Sequence, residues 1–183
     1  MALTRMTIDG FGQLELNNAA FPRDGRVEAQ CALDATDFAS IPAENGMLLA
    51  VDKLNGVIKI ATDATLPIAI NYSAEHLYDE RALGLKDFKL TPNDFYPRLG
   101  YLSVGDKFTT NCIAYDTGDF ADDTALDTAL KAIKTTPLYG GIGANGAIVL
   151  DTTKPSAGPV LKVIKYTTMP DGQPAVKFQV LSV

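Results

Sequence analysis

Residues 159–181 read Pro-Val-Leu-Lys-Val-Ile-Lys-Tyr-Thr-Thr-Met-Pro-Asp-Gly-Gln-Pro-Ala-Val-Lys-Phe-Gln-Val-Leu. Two runs rich in β-branched and apolar residues, 159–167 and 175–181, flank Pro170-Asp171-Gly172. Proline presets one turn dihedral and glycine supplies the positive φ, so this triplet closes a turn. The stretch predicts strand, turn, strand at the C-terminal end. Residues 146–151 predict a further strand just upstream.

Working back along the chain, the same grammar repeats. Residues 98–104, the turn Gly105-Asp106 and residues 107–115 predict strand, tight turn, strand. Residues 46–51 and 57–60 are apolar runs separated by 52–56, and the Asn55-Gly56 pair marks a hairpin. Residues 26–33 alternate, with Val27, Ala29, Cys31 and Leu33 on one face. Residues 3–8 and 13–16 are short strands broken by Gly10 and Gly12. Residues 66–71 are another, with Pro67 placing it near an edge or at a strand start.

Two helices interrupt the strands. Residues 122–134 place Leu126, Leu130 and Ile133 on one face, with Asp122 and Asp123 at the start and Lys131 and Lys134 at the end. That charge order matches the helix dipole, and Pro137 stops the helix. Residues 73–83 predict the second, with Ser73 as N-cap and Gly84 at its C-terminal end. No βαβα alternation occurs, so a doubly wound parallel sheet is not expected. The fold class is mainly β, at the margin of α+β: an antiparallel β-barrel or sandwich with two helices inserted in loops. Pro92, Asn93, Asp94 and Pro97 make 86–97 loop-rich. A boundary there divides a β-rich region with one helix, 1–97, from a barrel-like region with one helix, 98–183. The alternative is one domain overall.

Composition narrows the function. With 183 residues, 46% hydrophobic and 21% charged, the chain can bury a core of ordinary size. No apolar run approaches the ~18 residues of a membrane helix. The first ten residues lack the basic start and apolar stretch of a signal peptide. A net charge of −6 repels phosphates, so neither nucleic acid nor an anionic membrane is an expected partner. Lys154, Lys162, Lys165 and Lys177 lie among strand residues and read as a solvated strand face.

Several patterns carry chemistry elsewhere. Cys31 and Cys112 stand outside any CxxC spacing and read as buried free thiols. Gly141-Ile142-Gly143-Ala144-Asn145-Gly146 matches G-x-G-x-x-G as text. The nucleotide fingerprint needs a strand before it and a helix after it, and here the order is reversed, so a glycine-rich turn or flap is expected. His76 with Asp79 and Glu80 could share a helix face, but one helix does not close a metal site. Asp116, Asp119, Asp122, Asp123 and Asp127 lack the EF-hand order and read as a solvated helix start. No catalytic, cofactor-binding or metal-binding residue is assigned, no cofactor is expected, and the protein is read as not an enzyme.

Asp116-Thr117-Gly118 at a strand end resembles the catalytic turn of retropepsin-like aspartic proteases, and Gly140-Gly141-Ile142-Gly143 resembles their flap tip. That resemblance implies a dimer with Asp116 at a twofold axis, sharing a proton between two aspartates. Asp119-Phe120 after the turn, bulky Tyr115 before it, and the helix between turn and flap depart from the family pattern.

Residues 43–51 (Ala-Glu-Asn-Gly-Met-Leu-Leu-Ala-Val), 98–109 (Arg-Leu-Gly-Tyr-Leu-Ser-Val-Gly-Asp-Lys-Phe-Thr) and 169–178 (Met-Pro-Asp-Gly-Gln-Pro-Ala-Val-Lys-Phe) together resemble small virion structural proteins of tailed bacteriophages. This resemblance implies a capsid decoration (cement) protein, or a head or tail accessory protein. Its partners would be the major capsid protein, copies of itself, or both, as a homo-oligomer on the virion. It would be made in the host cytoplasm. The β-prone ends, 1–8 and 175–183, are candidates for adding a strand to a neighbour's open sheet edge. Two other readings stand beside it: the dimeric protease, and a non-viral β-barrel binding module.

Overall fold

The computed structural model describes residues 3–62, 64–73 and 85–183. His76, Asp79, Glu80 and nearly all of the helix expected over 73–83 lie outside the described residues. Strands β1 to β7 are Leu3–Arg5, Leu14–Asn18, Val27–Glu28, Ala32–Leu33, Leu48–Asp52, Val57–Ile60 and Ile68–Asn71. Strands β8 to β14 are Leu99–Gly100, Lys107–Thr110, Ile113–Asp116, Tyr139–Gly141, Ile148–Asp151, Val160–Thr168 and Pro174–Ser182. Helix α1 is Phe21–Asp24 and helix α2 is Asp123–Lys131. Neither is long and apolar enough to cross a membrane.

The strands form two sheets. An eight-stranded sheet runs β1-β10-β12-β11-β13-β14-β9-β2, and a six-stranded sheet runs β3-β8-β7-β5-β6-β4. Most pairings are antiparallel, but β10–β12 and β4–β6 are parallel. The architecture is mainly β, consistent with a sandwich. The sheets do not part at residue 97: β1 and β2 join the large sheet with the second half of the chain, and β8 joins the small sheet with the first half.

The large sheet cannot be flat. β9 and β10 are separated only by Asn111 and Cys112, yet they stand seventh and second in the strand order. Five strand spacings would span about 24 Å in a flat sheet. Two intervening residues carry the chain only on the order of 10 Å. The sheet therefore curls, bringing its second and seventh strands together at this corner. Ile148 N–H donates to the Cys112 carbonyl at 3.0 Å, and Met6 N–H to the Ile113 carbonyl at 3.0 Å.

Curling encloses one core and leaves a second between the sheets. Phe108, Ile113, Leu150, Leu161 and Phe178 point inward and meet Leu126 and Leu130 of α2. Leu48 and Ile70 of the small sheet join them, while Met47, Leu49 and Val51 face Cys112, Ala114 and Ala147 in the second core. All five residues of β5 are buried: Leu48 enters the first core, Leu49 and Val51 the second, and Asp52 is covered through its bonds to Asn55 and Lys59. This is why 46–51 reads as a continuous apolar run and not as an alternation. Each fully buried Leu or Ile contributes about 1.5–3 kcal/mol.

Several expected elements form as read. β13 and β14 pair in register from Thr168↔Pro174 to Val160↔Ser182, with bulges on the way. β5 and β6 form the Asn55-Gly56 hairpin, with Gly56 at φ +69°. Pro67 stands just before β7, an inner strand. Asp122 caps α2, accepting from Ala125 N–H at 2.8 Å.

Others do not. The strand expected over 107–115 is broken at Asn111-Cys112, and only Leu99–Gly100 of 98–104 is strand. No hairpin forms across Gly105-Asp106, because β8 and β9 belong to different sheets. The Asp106 carboxylate instead holds the link, accepting from Ser103 N–H at 2.8 Å and Ala20 N–H at 2.9 Å. The C-terminal segment 175–183 is not an open edge, since β14 is paired on both sides by β13 and β9. β1, inside the other proposed donor segment, is one of the two end strands of the large sheet and, among the described residues, pairs only with β10. The one-turn helix α1 was unforeseen; its signal is Pro22 near the start and Gly25 in the left-handed conformation at the end.

Gly46 sets a sharp test of the corner. Its φ is +87°, and an added Cβ would lie 2.2 Å from Thr110 Oγ1. Gly56 shares the positive φ but meets nothing within 4 Å. Gly56→Ala should cost about 1 kcal/mol, and Gly46→Ala more than about 2 kcal/mol, in urea unfolding with an unchanged m-value.

Candidate functional site

Asp116 ends β10 and turns the chain toward α2. Its Oδ1 accepts from Gly118 N–H at 2.8 Å, and its carbonyl accepts from the amides of Asp119 and Phe120, both at 3.0 Å. This is an Asx turn. The glycine-rich segment lies beyond β12, which separates β10 from β11. There β11 and β12 form a hairpin, with Gly146 N–H donating to the Gly143 carbonyl at 2.8 Å. A groove of about 520 Å³ opens beside it, lined by Gly141, Ile142, Asp151, Lys154 and Pro155 among others.

The acidic run is divided among structural tasks. Asp122 is the α2 cap, and Asp127 pairs with Lys131 one turn on. Asp123 accepts from Thr7 N–H at 3.1 Å and from the Tyr115 hydroxyl at 2.9 Å, fastening the N-terminal segment to the helix start. Burial opposes ionisation of Asp123, but those hydrogen bonds prevail and hold its pKa below the usual carboxylate range. Burial, with Asp123 beside it, pushes the Tyr115 phenol up to about 12. Burial raises Asp119 as well, helped by the charges of Asp151 and Asp116. Among the described residues no group of three or more His, Cys, Asp or Glu side chains is arranged to hold a metal.

Cys31 and Cys112 are both buried free thiols, as expected. Burial pushes the Cys112 thiol up to about 12, which keeps it protonated and unreactive at neutral pH. Ser73 Oγ donates to Asn71 Oδ1 at 2.5 Å and accepts from Arg98 N–H at 2.7 Å, which binds β7 to the start of β8.

The densest polar cluster is one that sequence reasoning missed. Arg5 on β1 reaches Glu44 through two hydrogen bonds of 3.1 and 2.8 Å. Glu44 Oε2 also accepts from Gly12 N–H at 2.6 Å. Beside it Asn111 Oδ1 accepts from Gln13 N–H at 2.7 Å, and Thr110 Oγ1 donates to the Gln13 carbonyl at 2.6 Å. Thr110 Oγ1 in turn accepts from Cys112 N–H at 3.0 Å. These partners come from three distant stretches of chain, so no local pattern announces them. Their work is to satisfy the backbone where the sheet turns its corner.

A second missed feature lies on the surface. Leu54 is 94% exposed, Val104 67%, Tyr96 57% and Phe95 48%. Each sits on or beside a turn braced by an aspartate. Asp52 accepts from Asn55 N–H at 3.1 Å and from Asn55 Nδ2 at 2.7 Å, which fixes the turn bearing Leu54. Asp106 holds the turn bearing Val104. Asp94 accepts from Thr91 N–H at 2.7 Å and Thr91 Oγ1 at 2.9 Å, just before Phe95-Tyr96. Lys53 Nζ lies 5.1 Å from the Tyr101 ring centroid, so the turn bearing Leu54 adjoins the segment leading to Val104. Phe95 leans on buried Phe88, with ring centroids 6.4 Å apart, while Leu54 and Val104 leave most of their apolar surface in water.

No family model, curated protein or solved structure matches the chain.

Asp123 gives the cluster at the helix start a pH signature. Its folded pKa lies below the unfolded value of about 3.9, so its stabilisation is present above that pH and is lost as pH falls through the folded value. Asp123→Asn should lower stability at neutral pH and leave a shallower loss on acidification. Urea midpoints measured from pH 7 to pH 2 should converge for the two proteins at the acid end.

Proposed function

We propose that the protein is a virion structural protein of a tailed bacteriophage, of the capsid decoration (cement) type. In this role it stabilises the head by binding between major capsid protein subunits, alone or with copies of itself. The observation that carries the reading is the set of apolar tips, Leu54, Val104 and Phe95-Tyr96, on aspartate-braced turns. The resemblance of residues 43–51, 98–109 and 169–178 to virion proteins supports it.

The physical case concerns what such a protein must do. It joins a shell through surface, not through an enclosed pocket. An exposed Leu or Val adds little to folding but gains about 1.5–3 kcal/mol when a partner covers it fully. Ordering a side chain and its loop on binding costs roughly 0.5–1.5 kcal/mol, and the aspartate braces meet part of that cost during folding. The single net negative sign keeps free copies apart before assembly.

Heads of the encoding phage that lack this protein provide the test. Added protein should be taken up to saturation at a fixed ratio to the major capsid protein, and loaded heads should survive more heat. Leu54→Ser with Val104→Ser should weaken uptake about tenfold or more, while folding stability stays within about 0.5 kcal/mol. Heads that take up no saturable amount, or that bind the double variant as well as the parent, contradict the reading.

A further inference from the structure

The outward face of the large sheet carries a cluster of lysines without an ion pair among the described residues. Asp151 beyond Tyr139 and Glu15 beyond Thr109, carboxylates of that face, stand two strands away from Lys162 and Lys177. Lys162 on β13 stands opposite Gln179 on β14, and Gln179 stands opposite Lys107 on β9. The neighbouring row places Lys165 directly opposite Lys177, which stands opposite Thr109. Inward neighbours on the same strands, Val163, Phe178 and Phe108, are buried, so the lysines occupy the solvent side. Lys162 and Lys165 are exposed, and Lys107 and Lys177 half-buried. Rows two residues apart and strands about 4.8 Å apart put four ammonium groups within a patch on the order of 10 Å across.

Other cations of the chain divide into paired and unpaired: among the described residues Arg23, Lys89, Arg98, Lys134 and Lys154 have no ion pair, and six are paired. Arg5, Arg26, Lys53, Lys59, Lys86 and Lys131 each lie within ion-pair distance of a carboxylate. Among the described residues none of Lys107, Lys162, Lys165 and Lys177 does. Like charges directly opposite across two strands destabilise a sheet. The Lys165–Lys177 pair therefore costs stability in the isolated molecule, and a carboxylate-bearing partner would reverse its sign.

We propose that this face, on β9, β13 and β14, docks a carboxylate-rich protein surface; naming the shell as its source rests on the function proposed above. Protein carboxylates suit it better than nucleic acid. The whole chain is net −6, so a long polyphosphate meets repulsion beyond the patch, whereas a local acidic patch meets only the lysines. The face is the outer surface of the curled sheet, whose register neighbours are Gln179, Thr109 and Tyr139, and a single ring makes no row for bases to stack on. Charge matching of this kind orients the encounter and accelerates it.

The test uses the full chain with two probes at low salt, fluorescent poly-L-glutamate and fluorescent double-stranded DNA of similar length, read by anisotropy. Poly-L-glutamate should bind, with affinity falling as salt rises. Lys165→Glu with Lys177→Glu should weaken that binding about tenfold or more. Lys177→Glu alone turns the opposed pair into opposite charges and should melt at or above the temperature of the parent. Absence of poly-L-glutamate binding, binding that survives the double variant, or a lower melting temperature for Lys177→Glu would overturn the proposal. DNA binding as tight as that of poly-L-glutamate would overturn it too, by giving the face to nucleic acid. None of these readouts involves phage heads, so this proposal and the capsid reading can fail separately.

Discussion

Between Thr110 and Ile113 the chain changes its place in the sheet from seventh strand to second, and the rest of the molecule is arranged around that step. A strand that turns so abruptly leaves ladder groups without partners. Gln13, Asn111, Thr110 and the Arg5–Glu44 pair supply what is missing. A buried ion pair is a weak source of net stability, because desolvation consumes much of the Coulombic gain. Its value here is positional: Arg5 fixes β1 on one side of the corner, and Glu44 fixes the entry to β5 on the other. Once the corner is set, the curl encloses Phe108, Phe178 and the α2 leucines, and the small sheet can bury both of its faces.

The parts of the fold legible in the sequence are those set by neighbours along the chain. Pro170-Asp171-Gly172 and Asn55-Gly56 are turn chemistry. Asp122, Leu126 and Leu130 are a cap and an apolar stripe. The corner was not legible because residues 107–115 alternate well enough to pass as one strand. What breaks them is Gln13 and Gly46 arriving from elsewhere. The place of β14 was hidden for a related reason. Alternation of Val176, Phe178 and Val180 with Lys177 and Gln179 reports one buried face, but not whether a strand lies on each side.

The candidate surface was only half legible. Lys162, Lys165 and Lys177 were visible as residues on strands, but a bulge between Val163 and Lys165 decides that Lys165 and Lys177 stand opposite one another. The apolar tips have a local signal, an aspartate one or two residues from an exposed Leu, Val or aromatic. That signal is shared by any surface turn, and exposure alone distinguishes these three. The molecule thus divides its polar residues in two. Buried ones close the corner, and exposed ones brace what is displayed.

Amide hydrogen exchange under native conditions tests the role of the corner most directly. If the fold depends on it, the amides of Gln13, Cys112, Ile113 and Ile148 exchange only through global unfolding, as slowly as those of Val163 and Phe178 in the central hairpin. Corner amides that exchange through local opening, while the hairpin stays protected, would contradict the account.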